Sequence, residues 1–326
     1  MGYLGRSPTP SPIDSSDIPA NSIDASKIID GAIAVADVAD NAITEAKIAD
    51  AAVVSLKSGR RNLIINGDFQ VSQRGDYTTA TTASGSTYYL DRFKTVLGGA
   101  FTYTHKISQL VDGKYVNTLL QTMTATGYSA TQQFVEDFAK LKGQTVTLSV
   151  WVKSNKAGAS VGIYDGVSQT QSSPHTGGGG WEKLTVSHTC STSTTLMRTE
   201  VWTTTGAVVG SFIEFTNFQL EVGSVATDFE HRSYGEELAL CQRYYEKGNL
   251  YRSGWVTSGT SGVQTTTLLV EKRVTPTFSI TSTGSLQNAT GVTLLGGTKH
   301  SIIHYPTGGG TAHLRYQIGW TADAEL

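Results

Sequence analysis

The feature that most constrains the fold of this chain is a five-residue repeat near its N-terminus. From residue 13 onward, an isoleucine or a valine occupies every fifth position nine times in succession. A step of five residues turns an α-helix by about 140°, so these side chains would not share one helical face. The step does not match the two-residue alternation of a strand either. The nine positions are Ile13, Ile18, Ile23, Ile28, Ile33, Val38, Ile43, Ile48 and Val53.

A single chain cannot bury one apolar side chain in five, because the residues between them are mostly Asp, Ala, Ser, Asn and Lys. Several parallel copies in register can bury them by bringing the same position of each chain to a common axis. We therefore predict that residues 13–60 form a thin oligomeric stalk, with β-branched side chains in layers along the axis. Two alternatives remain open. One is a pentapeptide β-helix within one chain, for which nine repeats make only about two coils. The other is a linker whose periodicity is accidental.

The segment before the repeat, residues 1–12, is rich in proline and cannot form a helix. Tyr3 and Leu4 are its large apolar side chains, and Arg6 follows them. We predict a docking peptide that lies on a partner surface through these three residues. A frayed tail is the alternative.

After the repeat, the sequence changes to short alternating strands separated by turns. Arg61 to Asp68 has the apolar run and Asn-Gly turn of a first strand, and Phe212 to Glu221 supplies large side chains for a strand that pairs with it. Between them, Val146 to Lys153 alternates between apolar and other side chains. The pattern predicts a β-sandwich or jelly roll over residues 61–232.

Four motifs, in order, resemble bacteriophage tail-fibre (virion fibre) proteins: DNAITEAKIADAAV (40–53), RNLIINGDFQVSQRG (61–75), YYLDRF (88–93) and QLEVGSVATDFEHRSYGEELALCQRYYEK (219–247). The first is similar to their stalks and the others to a fibre module over about residues 61–247. The resemblance implies a carbohydrate-binding-module-like jelly roll and a homotrimer carried on the virion. With it, the repeat predicts a parallel homotrimer whose axis is lined by the nine Ile and Val positions.

Two further units follow the jelly roll. Tyr234, Leu238, Cys241 and Tyr245 recur at helical spacing, which predicts a connecting helix over residues 233–248. Residues 249–326 contain several short strand patterns and predict a small distal β-rich tip domain. The fold class is therefore mainly β: a trimeric stalk, a jelly roll, a short helix and a C-terminal β domain.

Composition excludes several kinds of partner. The formal net charge is −2, so no basic footprint for nucleic acid is present. No apolar stretch is long enough to span a membrane, and the N-terminus lacks the apolar core of an export signal. The two cysteines, Cys190 and Cys241, are too few for a disulfide framework and are expected to be free thiols. We expect a protein made in the host cytoplasm that ends in the virion.

Catalytic and metal-binding motifs are weak. The seven histidines form neither an HExxH motif nor a cluster, although His300 and His304 would share one face of a strand. Asn66, Asp68 and Glu221 are oxygen donors that a Ca²⁺ ion would accept, but the interpretation as polar residues of turns and edges is favoured. We predict no catalytic residue, no metal and no cofactor.

The expected ligand is a glycan on the host cell surface, because uncharged β-surfaces with scattered aromatic rings suit sugars: rings stack on CH groups, and hydroxyls bond at the edges. The candidate contacts fall in two sets, and the sequence does not choose between them. They are Trp255, Tyr305, Tyr316 and Trp320 in the tip, and Tyr164, Trp181 and Trp202 in the jelly roll.

The sequence thus predicts a trimeric, non-enzymatic tail fibre that mediates host adsorption. Its N-terminus is expected to bind a tail adaptor, a baseplate or another virion protein. Two alternative interpretations of its function remain. One is a structural virion protein without a receptor role, such as a head fibre, a decoration protein or a short adaptor-bound fibre. The other is a polysaccharide-cleaving tailspike. Its two catalytic carboxylates would be brought together by the fold, so their spacing in the sequence does not reveal them.

Overall fold

The computed structural model of the chain describes Ile18, Ile28 and residues 60–83, 85–203, 206–256, 262–307 and 312–326. The chain divides into a unit of residues 1–49 and a unit of residues 50–326. In the first unit, Ile18 and Ile28 are exposed in the single chain. The other seven stalk positions and the docking residues Tyr3, Leu4 and Arg6 lie outside the described residues, so the stalk and the anchor stay predictions.

The second unit is mainly β, as the sequence predicts, and its larger part is a sandwich of two six-stranded antiparallel sheets. Sheet A has the order β1-β4-β5-β12-β7-β10 and sheet B the order β2-β3-β6-β11-β8-β9. The strands are β1 Thr81–Thr82, β2 Tyr88–Leu90, β3 Phe93–Leu97, β4 Phe101–Val111, β5 Lys114–Met123, β6 Ser129–Phe134, β7 Thr145–Ser154, β8 Ser160–Tyr164, β9 Gln169–Gln171, β10 Trp181–Thr189, β11 Arg198–Trp202 and β12 Phe212–Val222. A 3₁₀ turn, Phe138–Leu141, precedes β7.

The strand pairing has the form of a jelly roll. Strand β5 pairs with β12, β6 with β11, and β7 with β10, so each pair is nested inside the one before it. Successive strands from β5 to β8 also alternate between the two sheets. A long hairpin whose two arms fold together across both sheets has this pattern, which confirms the predicted architecture.

The core lies between the two sheets and follows the two-residue alternation of the strands. In β7, Val146, Leu148, Val150 and Val152 are fully buried, as their alternation predicts. Four phenylalanine rings pack edge to face beside them, with centroids 4.9–5.8 Å apart. These rings belong to Phe69, Phe93, Phe215 and Phe218.

The segment predicted as the first strand does not form one. Residues 64–68 are bends and turns, and Asn66 and Phe69 have positive φ angles of 62° and 56°. The predicted partner is nevertheless correct, because the Leu63 N–H donates to Leu220 O and the Phe218 N–H to Gly67 O. Gly67 is required there, since a Cβ at this position would lie 2.2 Å from Phe218 O. Residues in the left-handed conformation interrupt a continuous ladder of backbone hydrogen bonds. The segment therefore bonds to β12 at two separate points.

The connecting helix α1, Tyr234–Gln242, is shorter than predicted. It begins at Tyr234, within the predicted range, and Ser233 is its N-cap, whose hydroxyl accepts from the Glu236 N–H. It ends at Gln242, and Tyr245 already starts the strand β13. The prediction that the helix reaches residue 248 is therefore wrong, because pairing with a strand near the end of the chain overrides the local helical spacing.

The C-terminal domain consists of two three-stranded sheets, ordered β13-β18-β15 and β14-β17-β16. Its strands are β13 Tyr245–Val256, β14 Gln264–Thr267, β15 Thr277–Gln287, β16 Gly291–Gly297, β17 Ser301–Thr307 and β18 Ala312–Asp323. A compact core lies between the sheets. Its buried members are Leu250, Leu268, Ile302, Tyr316, Ile318, Trp320 and Ala322.

A buried charge cluster joins the C-terminal domain to the jelly roll. Arg92, only 1% exposed, pairs with Glu325 and lies over the Tyr244 ring at 3.5 Å from its centroid. Arg74 reaches the same carboxylate at 3.2 Å and Asp323 at 3.0 Å. The YYLDRF motif thus places its arginine where the end of β18 returns to the sandwich.

Candidate functional site

Two of the predicted aromatic residues, Tyr164 and Trp202, lie on the same outward face of sheet B. Strand β11 alternates, so Arg198, Glu200 and Trp202 point outward, whereas Thr199 and Val201 point into the core. Tyr164 on β8 is paired with Arg198, four residues along the strand from Trp202. The two rings are therefore about 13 Å apart along the strand direction. We call the surface formed by Gln132, Tyr164, Gln169, Arg198, Glu200 and Trp202 the Tyr164–Trp202 face.

The carboxylate of Glu200 lies between the two rings at the base of this face. Its Oε2 accepts a hydrogen bond from Gln132 Nε2 at 3.0 Å, and Arg198 Nε lies 3.0 Å from the same oxygen. Its Oε1 accepts from the Gln169 amide. Two amides and a guanidinium thus surround one fully buried carboxylate, which holds all of these polar groups in one orientation.

Burial raises the pKa of the Glu200 carboxyl, and the Arg198 guanidinium opposes part of that rise. An interaction with the buried indole N–H of Trp202 also lowers the pKa of this carboxyl.

The rings at the two ends are held by their neighbours. The Arg198 guanidinium lies over the Tyr164 ring at 4.8 Å, and Tyr128 packs against Trp202 with ring centroids 5.5 Å apart. Between them, Gly162 is buried beneath the Glu200 carboxylate, where a Cβ would lie 3.4 Å from Glu200 Oε1. The surface therefore has aromatic rings at its two ends, with the exposed Gln169 amide and the half-buried Arg198 guanidinium between them, above the buried carboxylate.

The third jelly-roll candidate, Trp181, lies on the opposite side of the sandwich, on the outward face of sheet A. It pairs with Lys153, whose ammonium is 5.8 Å from the indole ring. Lys153 also lies 3.9 Å from the buried carboxylate of Glu214, which Lys106 approaches at 3.3 Å. The structure therefore separates Trp181 from Tyr164 and Trp202 and places it beside charges that pair with one another.

The four candidates in the tip domain are not brought together. Tyr316 and Trp320, 3% and 5% exposed, belong to the domain core, which corrects their interpretation as surface platforms. Alternation in β18 turns them inward, and a small domain needs such large side chains to fill its interior. Tyr305 is half-buried on β17. Trp255 is 76% exposed on β13, with its ring edge-on to His313.

The oxygen donors considered for Ca²⁺ belong to separate hydrogen-bond networks. Asn66 bonds Val71 and Asp91, whereas Glu221 accepts from the Thr227 hydroxyl and N–H.

The two histidines considered as a metal pair differ in their surroundings. His300 is exposed, whereas His304 is buried and bonds Thr266 and Tyr316. Across the described ranges, no group of three or more His, Cys, Asp and Glu side chains is arranged to hold a metal ion. Within the same ranges, no helix is long and apolar enough to cross a membrane.

Sequence reasoning found the rings of the Tyr164–Trp202 face but missed Glu200, Arg198, Gln132 and Gln169. The alternation of the segment RTEVW, residues 198–202, is the signal that would have placed Arg198 and Glu200 on the same face as Trp202. No comparable signal exists for Gln132 and Gln169, because they come from other strands and meet Glu200 only through sheet pairing.

Comparison with known proteins gives structural matches alone, since no family model and no curated protein matches the chain. The enzymatically active domain of bacteriophage CBA120 tailspike protein 4 aligns with 13% identity and a TM-score of 0.35 over 50% of this chain and 21% of that one. The Clostridium thermocellum xylanase 10B modules complexed with xylohexaose align with 10% identity and a TM-score of 0.33 over 52% of this chain and 30% of that one. TmCBM61 in complex with β-1,4-galactotriose aligns with 13% identity and a TM-score of 0.29, over 50% of this chain and 100% of that one. All three scores lie below 0.5, so the jelly-roll assignment rests on the strand pairing.

Proposed function

We propose that the chain is a bacteriophage tail fibre that binds a glycan of the host cell surface through the Tyr164–Trp202 face. The observation that carries the binding role is the buried carboxylate of Glu200, held by two amides and a guanidinium between two aromatic rings. A pyranose ring combines apolar and polar groups, as this surface does. Its CH groups stack on aromatic faces, and its hydroxyls exchange hydrogen bonds with carboxylates, amides and guanidinium groups.

The arrangement is also preorganised for such a ligand. Glu200, Gln132 and Gln169 already hold one another in place, so few side chains lose rotamer freedom when a sugar binds. The distance of about 13 Å between the rings suits an oligosaccharide rather than one sugar ring.

The sequence motifs of residues 40–53, 61–75, 88–93 and 219–247 support the wider role as a tail fibre. A parallel homotrimer, anchored to the virion by residues 1–12, would present three copies of the face to the cell. Three weak sites on one fibre bind together through their effective concentration, which suits adsorption to a repetitive surface glycan. We propose binding without cleavage, because the outward strand positions of the described part of this face carry one carboxylate, Glu200, whereas most glycosidases use two.

The binding role is tested on an array of bacterial O-antigen and capsular oligosaccharides with the full chain. We expect Tyr164→Ala and Trp202→Ala each to weaken binding at least about tenfold, as is typical when a central aromatic contact is removed. Trp181→Ala, on the opposite sheet, is the matched control and should bind like the wild type. Equal loss in the control would place the ligand elsewhere. Absence of binding by the full chain would favour a structural virion protein, and release of reducing sugar would favour a tailspike.

The stalk is tested by its oligomeric state. Replacing Ile33 and Val38 together with aspartate places charges where the repeat predicts a buried axis, so we expect the trimer to dissociate or fray. Asp30→Ala and Asp37→Ala together, at positions between the repeated Ile and Val residues, are the control and should leave the assembly intact. Sedimentation equilibrium measures both; a wild-type chain that sediments as a monomer contradicts the trimer.

A further inference from the structure

The C-terminal domain has a small cavity of about 110 Å³ at one end of its two sheets. Its walls come from the end of β13, the start of β14, the end of β17 and the start of β18. The residues that line it include Arg252, Gln264, Pro306, Leu314 and Tyr316. Ligand sites are commonly found at such an open end of a small β domain, where strand ends supply polar groups around an apolar floor.

Arg252 brings a positive charge to this cavity without a carboxylate to balance it. Its contact among the described residues is a long hydrogen bond of 3.4 Å from Nη2 to Thr266 Oγ1. Its Nε–H is buried and has no hydrogen-bond partner there, which is also true of Arg74, Arg92, Arg198 and Arg232. Those four arginines each pair with a carboxylate, whereas Arg61 and Arg273 lack one but donate to oxygen atoms of the chain at 2.9–3.1 Å. Among the half-buried arginines that the structure describes, Arg252 thus has neither a carboxylate partner nor a short hydrogen bond.

The groups that face Arg252 do not neutralise it either. Tyr316 lies opposite it on β18, and His304 bonds both Tyr316 and Thr266. Burial lowers the pKa of His304, and the positive charge of Arg252 lowers it further. The segments 257–261 and 308–311, which follow β13 and β17, contain no aspartate or glutamate in their sequences. A carboxylate partner for Arg252 therefore does not come from the adjoining chain.

We propose that this cavity binds the carboxylate of an acidic sugar, with the Arg252 guanidinium as its counter-charge. A guanidinium offers two parallel N–H groups that match a carboxylate, and the pairing is stronger where water is partly excluded. The cavity is smaller than the ~300–1,000 Å³ of sites that enclose a whole drug-sized ligand. It therefore takes one acidic residue of a polysaccharide rather than an extended chain. The site is separate from the Tyr164–Trp202 face and does not depend on it.

The test measures the binding of glucuronate and N-acetylneuraminate to the full chain by saturation-transfer NMR and titration calorimetry. Glucose and the methyl ester of glucuronate are the uncharged comparisons, and inorganic phosphate is the alternative anion. We expect both acidic sugars to bind, the uncharged comparisons to bind at least about tenfold more weakly, and added salt to reduce binding of the acids. Preference for phosphate over both acidic sugars, or equal binding of the methyl ester, would overturn the proposal.

Variants separate the role of Arg252 from a structural one. Arg252→Gln should lose binding of the acidic sugars at least about tenfold, whereas Arg315→Gln, an exposed arginine of β18, should retain it. Because Arg252 has no ion pair to lose, the R252Q chain should have a Tm equal to or above that of the wild type. Glucuronate should raise the Tm of the wild type but not that of R252Q. A lower Tm for R252Q without ligand would show a structural role for Arg252 and overturn the proposal. Loss of neutral-glycan binding in W202A leaves this proposal unaffected, so the two sites fail independently.

Discussion

Replacing Glu325 with alanine is expected to lower the free energy of unfolding by about 3–5 kcal/mol, since it leaves a buried arginine without its carboxylate. The Arg92 side chain is 1% exposed and the Glu325 side chain 4% exposed, so water does not replace the lost partner. Arg92 keeps its hydrogen bond to Phe134 O at 2.6 Å and its contact with the Tyr244 ring, but these supply no negative charge. Arg74 loses the same carboxylate.

Asp323→Ala is the matched control for this change. Asp323 also pairs with Arg74, at 3.0 Å, but its side chain is 40% exposed, so we expect a loss of about 1 kcal/mol or less. Both variants are unfolded in urea at the wild-type protein concentration, because the stability of the proposed trimer would depend on concentration. If E325A and D323A lose the same small amount, the Arg92–Glu325 pair does not hold the C-terminal domain to the jelly roll.

Replacing Asn66 with alanine is expected to destabilise the fold by about 3 kcal/mol or more, since it breaks three buried hydrogen bonds at once. The Asn66 side chain accepts from the Val71 N–H at 2.9 Å and donates to Val71 O at 2.8 Å and to Asp91 O at 3.1 Å. Its backbone N–H donates to Glu237 Oε1 at 2.6 Å, which ties helix α1 to the same point. Without the amide, three buried backbone groups lose a partner.

A glycine variant separates the hydrogen bonds from the backbone strain. Asn66 has a φ of 62°, which alanine adopts at a cost of about 1–2 kcal/mol and glycine adopts freely. Asn66→Gly should therefore lose the hydrogen bonds but not add that strain, and it should unfold at a higher urea concentration than Asn66→Ala. Retention of wild-type stability by both variants would mean that the side-chain amide does not hold this turn together.

The sequence by itself determined the elements that depend on neighbouring residues. Alternation in residues 146–153 predicted a strand that the structure contains, and helical spacing after residue 233 predicted the helix α1. Period and capping are local, so a single sequence displays them.

Only the tertiary structure decided the partners and the exposed faces. The helix stops at Gln242 because residues 245–256 pair with β18, far along the chain. Tyr316 and Trp320 lie in a core whereas Tyr164 and Trp202 lie outward, although all four occupy alternating strands. Alternation shows which side chains share a face, but the face that is covered depends on the sheet packed against it. Glu200 meets Gln132 and Gln169 for the same reason, since pairing between distant strands brings them together.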